Sequence, residues 1–140
     1  MAKSFRCSIV TPSASILDDD VTYASVPAWD GQFGLLPGHS PFLARLGIGR
    51  LRLDFPEGGS RWFYIDGGFA QVQDGHLVLL TENAIPAESL SLRDAEAELA
   101  EANARVLQSG LDQEKVMLDQ QRARTKCDLA RGMAERGGAI

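Results

Sequence analysis

A β-rich domain followed by a helical hairpin is the fold this sequence predicts, and three observations carry it. Up to about Ala84 the apolar residues recur with period 2 and turn residues punctuate them every few positions, as in strands with one buried face. Asp74-Gly75 separates two such runs and supplies the positive-φ positions of a two-residue hairpin turn. After Ile85-Pro86 the apolar spacing becomes helical, in two stretches broken at Ser109-Gly110. The 140 residues leave room for one ordinary domain or a small one with an appendage. The division is placed at a β domain over 1–87 and a helical hairpin over 88–140.

Taken in order, Phe5, Cys7 and Ile9 alternate with Arg6 and Ser8. The acidic run Asp18-Asp19-Asp20 reads as an exposed corner, and Val21, Tyr23 and Ser25 as the next alternating set. Leu51, Leu53 and Phe55 alternate with Arg50, Arg52 and Asp54, and Pro56-Glu57-Gly58-Gly59 turns the chain into Arg61-Trp62-Phe63-Tyr64-Ile65. Gln71–Leu80 is the clearest hairpin. Many short strands with such turns predict a sandwich or a flattened barrel.

In the helical part, Ser91 is suited to cap a helix, with Asp94 close to the free donors of its first turn. Leu92, Ala95, Leu99, Ala102 and Val106 then fall on one face, with Glu96, Glu98, Glu101 and Arg105 on the wet side. A second helix from about Asp112 to Glu135 has a thin stripe of Val116, Ala123, Cys127, Ala130 and Ala134, with Leu118, Leu129 and Met133 on a neighbouring face. A hairpin with so little apolar area is expected to be weakly docked and movable, because small side chains bury little surface against the entropy of ordering two helices.

The net charge of −5 argues against a nucleic-acid binder, which needs clustered Lys and Arg. The charge is uneven: residues 120–140 hold five basic and two acidic side chains, the rest nine basic and seventeen acidic. Two distant cysteines, no leader-like run, and no apolar run near the roughly 20 residues of a membrane span predict a reduced, cytosolic chain. His39 and His76 have no metal-ligand companions at suitable spacing. Asp66-Gly67-Gly68 lacks the surrounding phosphate-loop pattern and reads as a bend. No metal, no cofactor and no nucleophile–base pair is expected, so the chain reads as a non-enzyme.

Two segments point instead to partners. Val26–Pro41 holds three glycines and three prolines around Trp29, Phe33, Leu35 and Leu36. Glycine and proline shape such a loop sharply. Its apolar groups either form a docking surface or plug the local core, and both readings stay open. The basic stretch with Arg122, Arg124, Lys126, Arg131 and Arg136 is either a solvated helix face or a surface for an acidic partner.

The order of these features resembles the epsilon subunit of the bacterial rotary proton-translocating ATP synthase, the equivalent of the mitochondrial delta subunit. The resemblance lies in Gly31-Gln32-Phe33-Gly34-Leu35-Leu36-Pro37-Gly38-His39-Ser40-Pro41, in Tyr64-Ile65-Asp66-Gly67-Gly68-Phe69-Ala70-Gln71-Val72, in Val78-Leu79-Leu80-Thr81-Glu82-Asn83-Ala84, and in the terminal hairpin. It implies a ten-stranded β-sandwich of two five-stranded sheets followed by a two-helix domain. It also implies a non-catalytic central-stalk subunit, peripheral on the cytoplasmic face of the bacterial plasma membrane. The implied partners are the gamma subunit, the c-ring and the alpha/beta catalytic head. On that resemblance Gln32 and Phe33 lie on the ring-facing edge, and Leu36, Pro37, His39 and Ser40 match gamma- and ring-proximal positions. Exchanging Phe33 and Leu36 for Asp is then expected to leave the sandwich folded and weaken coupling. Arg122, Arg124, Lys126 and Arg131 match the basic residues that, with the hairpin extended, meet the head and restrain hydrolysis of ATP.

The chain departs from the family's nucleotide-binding pattern. Where that pattern resembles I/L-D-x-x-R-A, this chain has Leu90-Ser91-Leu92-Arg93-Asp94-Ala95. Asp94 puts a carboxylate where a phosphate needs a cation. The alternative function, a nucleotide-sensing module binding ATP between hairpin and sandwich, is therefore disfavoured.

Overall fold

The computed structural model describes residues 3–106, 108, 110 and 112–138, the last five as backbone only. The chain divides into two compact units, the first ending at Ile85 and the second starting at Pro86. Eight strands fill the first among the described residues: β1 (Phe5–Val10), β2 (Ser15–Val21), β3 (Tyr23–Ala28), β4 (Gly31–Leu35), β5 (Phe42–Asp54), β6 (Ser60–Gln73), β7 (His76–Leu80) and β8 (Ala84–Pro86). They are hydrogen-bonded in the order β2-β1-β7-β6-β5-β3-β4, with β8 on β6.

The sandwich comes from two strands that bend. β5 and β6 are 13 and 14 residues long, more than twice the usual length. Their pairing runs through Leu46↔Gly68, skips a position and resumes at Ile48↔Asp66. At that point Gly67 and Gly68 adopt φ of +73° and +108°. The bend leaves one half of each strand with β2, β1 and β7 and the other half with β3, β4 and β8. Ten expected strands are thus eight continuous ones, two of which serve both layers. One core joins them: Phe5, Cys7, Ile9, Ala70, Val72, Leu77 and Leu79 pack in the same cluster as Ala24, Val26, Leu35, Leu51, Leu53, Phe63 and Ile65. Burial pushes the Cys7 thiol up to about 12, which makes it an inert core residue.

Gly68 is required at the bend for a second reason. A Cβ there would run into the Leu80 carbonyl oxygen, so only a bare backbone lets β6 cross so close to the end of β7. The Asp74-Gly75 turn has the expected positive φ at both residues, 53° and 74°.

Two local expectations are corrected. Asp18-Asp19-Asp20 is no corner: it lies inside β2, paired with Cys7, Arg6 and their neighbours on β1. β2 ends the sheet, and a charged edge strand resists pairing with other chains. In the next segment the buried residues are Val21, Ala24, Val26 and Pro27, while Tyr23 and Ser25 are half-buried. The alternation breaks at Thr22, where the chain leaves β1's neighbour for β5's. The Thr22 amide and hydroxyl both donate to the Asp54 carbonyl, at 2.8 and 3.3 Å.

In the second unit a 3-10 turn (Ala87–Ser89) precedes α1 (Leu92–Val106) and α2 (Gln113–Gly138). Ser91 caps α1 as expected, its Oγ accepting from the Asp94 amide at 3.2 Å. Asp112 caps α2 through the amides of Glu114 and Lys115. The buried side chains are small: Ala95 and Ala102 on α1, and Val116, Ala123, Cys127, Leu129 and Ala130 on α2. Val106, expected on the apolar face, is exposed. Ser109 and the side chains of Ala134 and Arg136 lie outside the described residues.

Candidate functional site

The glycine- and proline-rich segment is a hairpin and a loop. Trp29-Asp30 turns β3 into β4, and β4 pairs with β3 through Ala28↔Gly31 to Ala24↔Leu35. Alternation along β4 then sorts its residues. Leu35 is fully in the core, and Phe33 packs against the core cluster, meeting Phe42 edge to face at 5.3 Å. Gln32 lies on the opposite side, where its amide donates to Ser25 Oγ at 2.9 Å and to the Arg50 carbonyl at 3.1 Å. Phe33 therefore serves the fold, and a Phe33→Asp exchange is expected to cost the sandwich stability.

Leu36 is different. It is exposed, as are Trp29, His39 and Ser40, and Pro37 is half-buried. Leu36, Gly38 and His39 border a narrow crevice whose other walls include Phe5, Val72 and Gly75. His39 Nδ1 donates to the Ser40 carbonyl at 3.0 Å, and its ring stands edge-on to Phe42 at 5.1 Å. Both contacts order the loop.

The loop runs into an apolar face that sequence reasoning missed. On the outer side of the β1-β7-β6-β5 layer, register places Val10, Leu80, Phe69 and Arg45 in one row, and Ser8, Val78, Gln71 and Leu43 in the next. Phe69 and Leu80 are each about half exposed, at 52% and 51%, and Leu43 is 69% exposed. Residues directly or diagonally opposite on a sheet touch, so these five apolar side chains form one patch. Large exposed apolar side chains grouped in this way mark an interaction surface. Its members come from four strands, and no single stretch of sequence announces it.

Beside Val78 on the same layer Ser8 Oγ lies 2.8 Å from His76 Nε2, a pairing that sequence spacing did not reveal. The serine proton is already committed, because Ser8 Oγ donates to Asp18 Oδ1 at 3.0 Å. Ser8 must then accept from His76, so the histidine is a donor and not a base toward it. Arg6 Nε donates to the same carboxylate at 2.7 Å. The bonds from Arg6 and then Ser8 hold the Asp18 carboxyl below its usual range. No group of three or more metal-ligating side chains occurs among the described residues.

The basic residues of α2 are engaged within the hairpin. Arg122 donates to Asp119 Oδ1 at 2.9 Å, and Arg105 of α1 reaches Asp119 Oδ2 at 3.0 Å. Burial acts upward on the Asp119 carboxyl, but the hydrogen bonds from Arg105 and Arg122 outweigh it and hold it below the usual range. Lys126 Nζ pairs with Glu98 at 3.1 Å and Arg131 with Glu96 at 3.7 Å. Arg124 is exposed and has no ion pair among the described residues. At the start of α1, Leu90 is half-buried, Ser91 is spent as the cap, Asp94 is exposed and Ala95 is buried.

A bent two-layer β-sandwich with an apolar outer face, followed by a helical hairpin with a seam of small side chains, defines a class of two-unit β-plus-α proteins. Residues 4–87 match the family described as ATP synthase, Delta/Epsilon chain, beta-sandwich domain, and the chain belongs to that family. An ATP synthase epsilon chain of Rhodopirellula baltica is 43% identical over 99 residues, covering 71% of this chain and 77% of the relative. One of Bacillus subtilis is 36% identical over 104 residues, covering 74% and 78%. Among solved structures, a chain of the Euglena gracilis mitochondrial ATP synthase (OSCP/F1/c-ring) is similar in fold, with a TM-score of 0.79, 24% identity and coverage of 87% and 78%. A chain of the Tetrahymena thermophila mitochondrial ATP synthase (central stalk/c-ring) gives a TM-score of 0.63 at 14% identity, covering 91% and 97%.

Proposed function

We propose that this chain is the epsilon subunit of a proton-translocating ATP synthase, a non-catalytic part of the central stalk. The match of the sandwich family over residues 4–87 carries this reading. The apolar face supports it, since a stalk subunit needs a broad surface on which to seat a partner. In this reading the gamma subunit takes the row of Val10, Leu80 and Phe69 with Leu43 and Val78. Leu36, Pro37, His39 and Ser40, with Gln32 and Phe33 behind them, make up the edge nearest the c-ring. Phe33 acts there by holding the loop's core, not by contact.

The hairpin is the proposed brake: with α2 extended, Arg122, Arg124, Lys126 and Arg131 meet acidic segments of the alpha/beta head and restrain ATP hydrolysis. The chain would work peripherally at the cytoplasmic face of the bacterial plasma membrane. No helix among the described residues is long and apolar enough to cross a membrane. Nucleotide sensing is disfavoured, because Ser91 is committed to capping α1 and Asp94 would repel a phosphate. Co-purification tests the assignment: a tagged copy of this chain is expected to bring down a long coiled-coil gamma-like subunit. Recovery of the chain alone from membranes that hold an intact ATP synthase would count against it.

A further inference from the structure

We propose that α1 is an intramolecular decoy: its acidic side chains hold the basic groups of α2 in an electrostatic clasp. The proposal rests on the reading that α2's basic face meets an acidic partner. Over Leu92–Val106, α1 carries four carboxylates against two arginines, and over Gln113–Gly138, α2 carries six basic residues against four acidic ones. The two helices therefore bear opposite net charge.

The geometry uses that difference. Glu96 and Glu98 of α1 engage Arg131 and Lys126 of α2. Arg105 of α1 and Arg122 of α2 share Asp119. Gln120 adds a hydrogen bond to Asn103 at 2.8 Å. Two of the four basic residues assigned to the brake, Lys126 and Arg131, are thus held by α1 while the hairpin is closed; Arg122 is paired with α2's own Asp119, and Arg124 remains free among the described residues. The apolar seam is built largely of alanines, so the charges are a substantial part of what holds the helices together. The Arg131–Glu96 pair is half exposed on both sides, and Lys126–Glu98 is exposed on its carboxylate side. Exposed pairs of this kind are individually weak and screened by salt. An acidic partner competes for the same ammonium and guanidinium groups. Closure of the hairpin and docking of α2 on such a partner exclude each other, and the strength of α1's carboxylates sets the balance.

The test is backbone hydrogen exchange of α2 in the isolated full chain, comparing wild type with the double variant Glu96→Gln/Glu98→Gln. Losing two exposed pairs is expected to speed exchange over 113–133 by about 2- to 30-fold. Raising salt from about 0.05 M to about 0.5 M, which shortens the screening length from roughly 14 to 4 Å, is expected to speed the wild type and barely affect the variant. Glu101→Gln also removes a negative charge from α1, but among the described residues Glu101 pairs only within its own helix, with Arg105, and the variant is expected to change little. Exchange in the double variant equal to wild type, or wild-type exchange indifferent to salt, overturns the clasp. Measured in the assembled ATP synthase, the double variant is expected to hydrolyse ATP more slowly. Faster exchange with unchanged hydrolysis would leave the clasp standing and overturn the brake.

Discussion

Gly68 concentrates the fold's demands on a single residue. Its positive φ excludes a side chain without strain, and its Cα lies against the backbone of Leu80 and Thr81. Gly68→Ala is therefore expected to destabilise the sandwich by about 1–3 kcal/mol from backbone strain alone, with the displaced β7 backbone adding to it. Urea unfolding measures this, and an unchanged midpoint would refute the reading of the bend. Phe33 and Leu36 divide in the same way. Phe33→Asp loses an edge-to-face ring contact and core packing and is expected to cost about 2 kcal/mol. Leu36→Asp, on an exposed side chain, should stay within about 0.5 kcal/mol of wild type. Only Leu36→Asp can then report on coupling without a folding defect. Equal losses in the two variants would show that Leu36 also belongs to the core.

At the scale of elements, the two units differ in what holds them. The sandwich buries Phe63, Ile65, Leu51, Leu53, Leu77 and Leu79, whereas the largest fully buried side chains on α2 are Leu129 and Val116. Amide exchange over 113–133 is expected to run well ahead of that in β5 and β6, since protection follows local burial. Equal protection would mean that α2 is no movable element. Asp119 adds a pH term to the hairpin. Its folded pKa is depressed, so its contribution is complete above the unfolded value of about 3.9 and disappears as pH falls through the folded value. Between neutral pH and about pH 5 this pair is not expected to change.

Much of this was legible in the sequence because it is local. The Asp74-Gly75 turn, the Ser91 cap and the period-2 runs of β1 and β7 each depend on residues a few positions apart. What escaped depends on pairing across the chain. Thr22 moves the chain from one layer to the other and resets the alternation, so Ala24 and Val26 are buried where Tyr23 and Ser25 were expected. Asp18 reads as a corner until its pairing with Ser8 places it in a strand. That two of the strands serve both layers was hidden because only the glycines at 47, 67 and 68 hint that β5 and β6 run through the bend.

For the whole molecule, the same non-locality hid the apolar face. Val10, Phe69 and Leu80 are scattered along the sequence, and only the register of β1, β7 and β6 puts them in a row. The segment from β3 to β5 is legible in sequence because its glycines and prolines are contiguous. The structure keeps Leu36 and His39 at the surface.

The central claim is that this face seats the chain on the stalk. Its most direct measurement is retention of a gamma-like subunit by the tagged chain, with the double variant Phe69→Glu/Leu80→Glu beside wild type. Both are expected to fold, the variant with a somewhat lower thermal midpoint because Phe69 and Leu80 are half-buried and directly opposite and like charges there repel, and only wild type is expected to retain the partner. Equal retention by the two, or none by wild type, would contradict the account.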